Sequence, residues 1–147
     1  MTDVSGPPSD TTVGHLLAER IRLTRSRRDR GPRLVHHWVQ NINAALDAVR
    51  PSERTIGTVT PMSSLSALEA AAVLVAAALA EGTPVIAIDH PDDFAATDGL
   101  LAVAAIMAPP RVTIIAGAAG HPSDGLVAGR PVITIDVDAV DRREVLQ

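Results

Sequence analysis

Asp89, His90 and Asp92 stand together at the end of one short apolar run, and His121 and Asp124 follow another inside the Gly117 to Gly129 stretch. Imidazole beside carboxylate is the pairing used in acid–base and metal chemistry, so these residues form a first candidate site. His90-Pro91, His121-Pro122 and Asp124-Gly125 are also ordinary turn dipeptides, and Asp92 is placed to cap a following helix. Ser63, Ser64 and Ser66 precede an alanine-rich run, where hydroxyls and helix amides can hold a small anion or can cap the helix alone. A third group is cationic: Arg20, Arg22, Arg25, Arg27, Arg28, Arg30 and Arg33 crowd one segment, suited to a polyanion, to a solvated helix end, or to this chain's own acidic body. His36 and His37 are adjacent and therefore point to different sides of a helix, which prevents them from chelating one ion as a pair.

What is missing narrows the chemistry. All 13 basic residues are arginine, so there is no phosphate-loop lysine, Schiff base or lysine base. Without cysteine there is no disulfide, thiolate metal site, iron–sulfur cluster or cysteine nucleophile. No Gly-Xaa-Ser-Xaa-Gly elbow occurs, and the glycines from Gly117 to Gly125 do not match the dinucleotide fingerprint. No cofactor is expected, and the balance leans away from an enzyme. A net charge of −4 argues against bulk nucleic-acid affinity. The longest apolar run, Ala70 to Ala80, falls short of the roughly 20 residues that span a bilayer. Met1 to Thr11 is polar and does not resemble a secretory signal, so the expected location is cytoplasmic.

The elements that would position these residues follow from periodicity. Residues 1–11, with Gly, two Pro, Ser, Asp and Thr, read as a disordered lead-in. Residues 12–50 read as two helices that include the arginine-rich segment. The first runs from Val13 to about Arg28, and Gly31-Pro32 stops it. The second runs from about Arg33 to Val49, with Leu34, Trp38, Ile42, Ala45, Leu46 and Val49 on one stripe. Residues 51–147 read as one α/β domain, because short apolar runs alternate there with alanine-rich helices. The spacing predicts strands Thr55 to Thr60, Pro84 to Asp89, Arg111 to Ala116 and Pro131 to Val137. It predicts helices Ser66 to Glu81, Asp93 to Met107 and one from Asp138. Ser66 and Glu69 have capping-box spacing.

The stretch RTIGTVTPMSSLSALEAAAVLVAAALAEGTPVIAIDHPDD, Arg54 to Asp92, resembles the opening β-α-β of the Par/Min-type deviant P-loop ATPases and the bacterial capsule tyrosine kinases. Those proteins share a strand ending near Ser/Thr-Pro, an alanine-rich helix closing in Leu-Ala-Xaa-Gly and a strand ending in Ile-Asp. Aligned on Leu79-Ala80-Glu81-Gly82, the loop lysine position falls on Leu68 and the Mg²⁺-binding position on Glu69. The loop glycines fall on Ser64, Leu65 and Ala67. Asp89 matches the first acidic position after the second strand, whereas the second falls on Pro91. The resemblance therefore implies a pseudo-ATPase that keeps the frame without the phosphate chemistry.

The resulting expectation is a three-layer Rossmann-like domain with a mostly parallel four-stranded sheet and two helices in front of it. The leading functional expectation is a non-catalytic P-loop-like interaction or regulatory subunit, partnered by another protein or by a second copy. One alternative is a small-ligand-binding or enzymatic Rossmann-like domain using Ser63, Ser64, Asp89, His90, His121 and Asp124 at the strand ends, with an anionic ligand. Another is nucleic-acid association through Arg20, Arg22, Arg25, Arg27 and Arg28.

Overall fold

The computed structural model describes residues 11–24, 31–51, 54–89, 97–117, 126–127 and 129–131. Among them are helices α1 (Val13–Thr24), α2 (Pro32–Val49), α3 (Ala67–Ala80) and α4 (Thr97–Met107), with a 3-10 turn at Met62–Ser64 before α3. Strands β1 (Val85–Asp89) and β2 (Thr113–Gly117) pair in parallel, with Val85 opposite Thr113 and Asp89 opposite Gly117. Two-residue strands β3 (Leu126–Val127) and β4 (Arg130–Pro131) form a separate antiparallel ladder.

Local sequence accounts for the helix boundaries. Pro32 opens α2 at a position whose N–H would have no partner in the helix. Arg50, extended ahead of Pro51, ends it by donating its N–H to Leu46 O at 2.7 Å. At the start of α3, Glu69 N–H donates to Ser66 Oγ (3.2 Å) and Ser66 N–H donates to Glu69 Oε2 (2.8 Å), completing the capping box.

Packing is mostly helix on helix. α3 lies against α1, α2 and α4, and α2 also lies against α4. The small side chains of Ala72 and Ala76, both fully buried, allow that crowding. α3 was expected to lie against a sheet as a crossover helix, and here its neighbours are chiefly helices. Leu17, Ile21, Ile42, Ile56, Val73, Leu100 and Val103 complete one core shared by the N-terminal helices and the rest of the chain.

Among the described residues the expected four-stranded Rossmann-like sheet is not found. The parallel sheet has two strands. Thr55 to Thr60 is not a strand: Thr60 N–H donates to Gly57 O (3.1 Å) and Gly57 N–H to Thr60 Oγ1 (2.9 Å), closing a turn. Ile56 inside it has a side-chain amide where a neighbouring strand would be. Asn43 Oδ1 accepts from Ile56 N–H and Asn43 Nδ2 donates to Ile56 O, both at 2.9 Å. β-branched residues that read as a strand are thus satisfied from a helix, beside an isolated antiparallel bridge between Thr12 and Pro61. Of the strand expected over Pro131 to Val137, only Pro131 is described, and it pairs antiparallel in β4. Residues 25–28, 93–96 and 132–147, which complete other expected elements, lie outside the described residues.

Candidate functional site

Ser63 and Ser64 lie exposed on the 3-10 turn. Ser64 Oγ donates to Pro61 O at 2.8 Å and accepts from Arg54 Nη2 at 3.2 Å, while Ser64 O accepts from Arg54 Nη1 at 2.9 Å. Arg54 Nη2 also stands 3.9 Å from Glu69 Oε2. The Glu69 carboxylate thereby occupies the positive end of α3, where an anionic ligand would be drawn. These contacts give Ser64 and Ser66 a structural employment.

Asp89 ends β1 opposite Gly117, the last residue of β2. His90, His121 and Asp124 lie outside the described residues, as does Asp92. The structure thus places three of the six expected ligand residues, on two separate elements. Among the described residues no group of three or more His, Asp or Glu side chains is arranged to hold a metal.

Of the expected polyanion set, Arg20 and Arg22 are on α1 and exposed, and Arg25, Arg27 and Arg28 lie outside the described residues. Arg20 Nη1 donates to Glu81 Oε1 at 2.9 Å, tying α1 to the C-cap of α3. One of the seven crowded arginines therefore pairs with the chain's own acidic surface.

Two features were missed from the sequence. The first is a groove of about 370 Å³ between α1, the start of α2 and the 57–60 turn, lined by Gly14, His15, Ala18, Pro32, Val35, His36 and Thr58. Its two imidazoles come from different helices, which no spacing along the chain reveals. His37 is elsewhere: it meets Trp38 edge-on at 6.1 Å and shares a 3.2 Å hydrogen bond with Asn41.

The second feature is the outer face of the β1–β2 pair. Ile86 is buried, and Ile88, Ile114 and Ala116 are partly covered on the inner side. Val85, Ala87, Thr113 and Ile115 face outward, with Val85 48% and Ile115 57% exposed. Parallel sheets are ordinarily covered on both faces, whereas among the described residues nothing covers the aliphatic side chains on this one. The period-two alternation of VIAID and TIIAG carried this signal only weakly, because Val85 and Ile115 on the outer side are as aliphatic as Ile86, Ile88 and Ile114 on the inner side.

No known protein family, curated protein or solved structure matches the chain. Among the described residues no helix is long and apolar enough to cross a membrane.

Proposed function

We propose that the chain is a non-catalytic interaction subunit that works by protein contact. The observation supporting this reading is the outer face of the β1–β2 pair, where Val85, Ala87 and Ile115 present aliphatic side chains to solvent. Burying apolar area is the main favourable term in protein association, and the centres of interfaces are depleted in charge. The absence of lysine and cysteine from the sequence and the closure of the α3 N-terminus by Ser66 and Glu69 point the same way, away from nucleotide turnover. The likeness of Arg54 to Asp92 to P-loop ATPases enters this reading only as a frame, since the segment that would open the β-α-β is the 57–60 turn.

Thermal unfolding with and without Mg²⁺-ATP and Mg²⁺-GTP, beside a phosphate-release assay, tests the non-catalytic half. A ligand well above its dissociation constant must raise the melting temperature. The expected result is no shift and no release above the blank. A shift of several degrees or measurable turnover overturns the reading.

A further inference from the structure

We infer that His15 and His36 hold a divalent transition-metal ion in the groove between α1, the start of α2 and the 57–60 turn. The inference stands apart from the interaction reading above, since it uses other residues and needs no partner protein. His15 lies in the first turn of α1 and His36 in the second turn of α2, and both line the groove of about 370 Å³. Among the described residues neither ring has a hydrogen-bond partner, whereas His37, next in the chain, is engaged by Asn41 and Trp38.

The donor set selects the ion. A neutral imidazole offers a ring-nitrogen lone pair, and such ligands suit Zn²⁺, Ni²⁺ and Cu²⁺. Ca²⁺ and Mg²⁺ require several oxygen ligands, and no carboxylate stands among the described residues that line the groove. No arginine stands among them either, so an anionic ligand finds no fixed countercharge there. Two protein ligands leave the remaining positions to water, so the ion exchanges and binds more weakly than at a closed site of four protein ligands.

The backbones that carry the two rings are fixed while the rings themselves are free to turn. His15 N–H donates to Thr12 Oγ1 at 3.2 Å, and the neighbouring Gly14 N–H donates to Thr58 O at 2.8 Å, holding the start of α1 against the turn. α1 also packs on α2. Both histidines are exposed, so each ring can change rotamer without displacing a packed neighbour. A zinc ion needs each ring nitrogen at about 2.0–2.1 Å, which puts the two nitrogens roughly 3–3.5 Å apart. An ion held this way links α1 to α2 and therefore stabilises the folded chain.

The test uses the full chain without a histidine tag. Zn²⁺ is titrated by calorimetry into the wild type, His15→Ala, His36→Ala, His37→Ala and the double variant His90→Ala/His121→Ala, and melting curves without metal establish that each is folded. Imidazole NMR spectra of the wild type with a trace of paramagnetic Cu²⁺ locate the ion without any substitution. The expected result is a single Zn²⁺ per chain, with an affinity that falls about tenfold or more in His15→Ala and in His36→Ala and stays within about twofold of wild type in the other two. Cu²⁺ should broaden the rings of His15 and His36 ahead of those of His37, His90 and His121. Zn²⁺ should also raise the melting temperature of the wild type and leave those of His15→Ala and His36→Ala nearly unmoved. Absence of binding overturns the inference. Binding lost only in the double variant, with broadening at His90 and His121, places the ion on those residues and overturns it too. Equal, shallow weakening in every variant marks scattered surface imidazoles and does the same.

Discussion

Gly14 donates its N–H to Thr58 O at 2.8 Å, and a Cβ built on Gly14 would lie 2.7 Å from that same oxygen. With Val13 N–H donating to Thr60 O at 2.9 Å, this contact satisfies the first amides of α1 from the 57–60 turn. Glycine is thus required by close approach of two backbones. On helix propensity alone Gly14→Ala should stabilise the protein by about 1 kcal/mol. The expected outcome is the reverse, a loss of about 1–3 kcal/mol in urea unfolding, because the turn must move or the hydrogen bond must lengthen. An unchanged or higher midpoint would show that α1 and the turn separate easily.

Asn43 serves the same turn from α2, and it also donates to Val39 O at 3.1 Å within its own helix. Ile56, whose two backbone groups Asn43 pairs, is almost wholly buried. Asn43→Leu should therefore strand a buried N–H and a buried carbonyl, at about 1–3 kcal/mol each before relaxation. Asn43→Asp keeps the acceptor for Ile56 N–H and loses the donor, so it should fall between wild type and Asn43→Leu. The order of the three denaturation midpoints checks the assignment.

Those two contacts also explain where sequence reading stops. Ser66 and Glu69 interact three residues apart, and the stripe of α2 repeats every turn, so both were legible as local pattern. β1 and β2 were legible as short apolar runs, displaced by one or two residues at their ends. Thr55 to Thr60 was misread because its conformation is decided by Asn43, thirteen residues before Ile56, and by Gly14, on another helix. Nothing in a run of threonine, isoleucine and valine announces that its partner is a side-chain amide. The groove between His15 and His36 was hidden for a related reason, since it exists only once α1 and α2 are packed.

α3 offers a test of the core. Ala72 and Ala76 are fully buried and one turn apart, between neighbouring helices. Replacing either with Leu adds three carbons to a filled space and should cost about 1–3 kcal/mol. Glu81→Gln, at the C-cap, removes only the partner of Arg20 in a pair whose arginine is half exposed, and should change stability by less than about 1 kcal/mol. Equal midpoints for all three variants would mean that α3 is not central.

Arg130 ties the β3–β4 ladder to the end of α4. Its Nη1 donates to Val112 O at 3.0 Å, and its Nη2 donates to Pro109 O at 2.8 Å and to Ala108 O. Ala108 and Pro109 follow the last turn of α4, where carbonyls lack partners within the helix, so a cation there satisfies them and opposes the helix dipole. A planar fork reaches several carbonyls at once, which a single ammonium on a flexible stem does poorly. Arg130→Lys should therefore recover less than half of the stability lost in Arg130→Ala, itself about 1–3 kcal/mol for carbonyls left near the surface. Hydrogen exchange locates the effect: amides of Val112 and Thr113 at the start of β2 should lose protection in both variants, while those of α1 should not. Uniform loss of protection across the chain would make Arg130 a general stabiliser and separate it from the junction of α4 and β2.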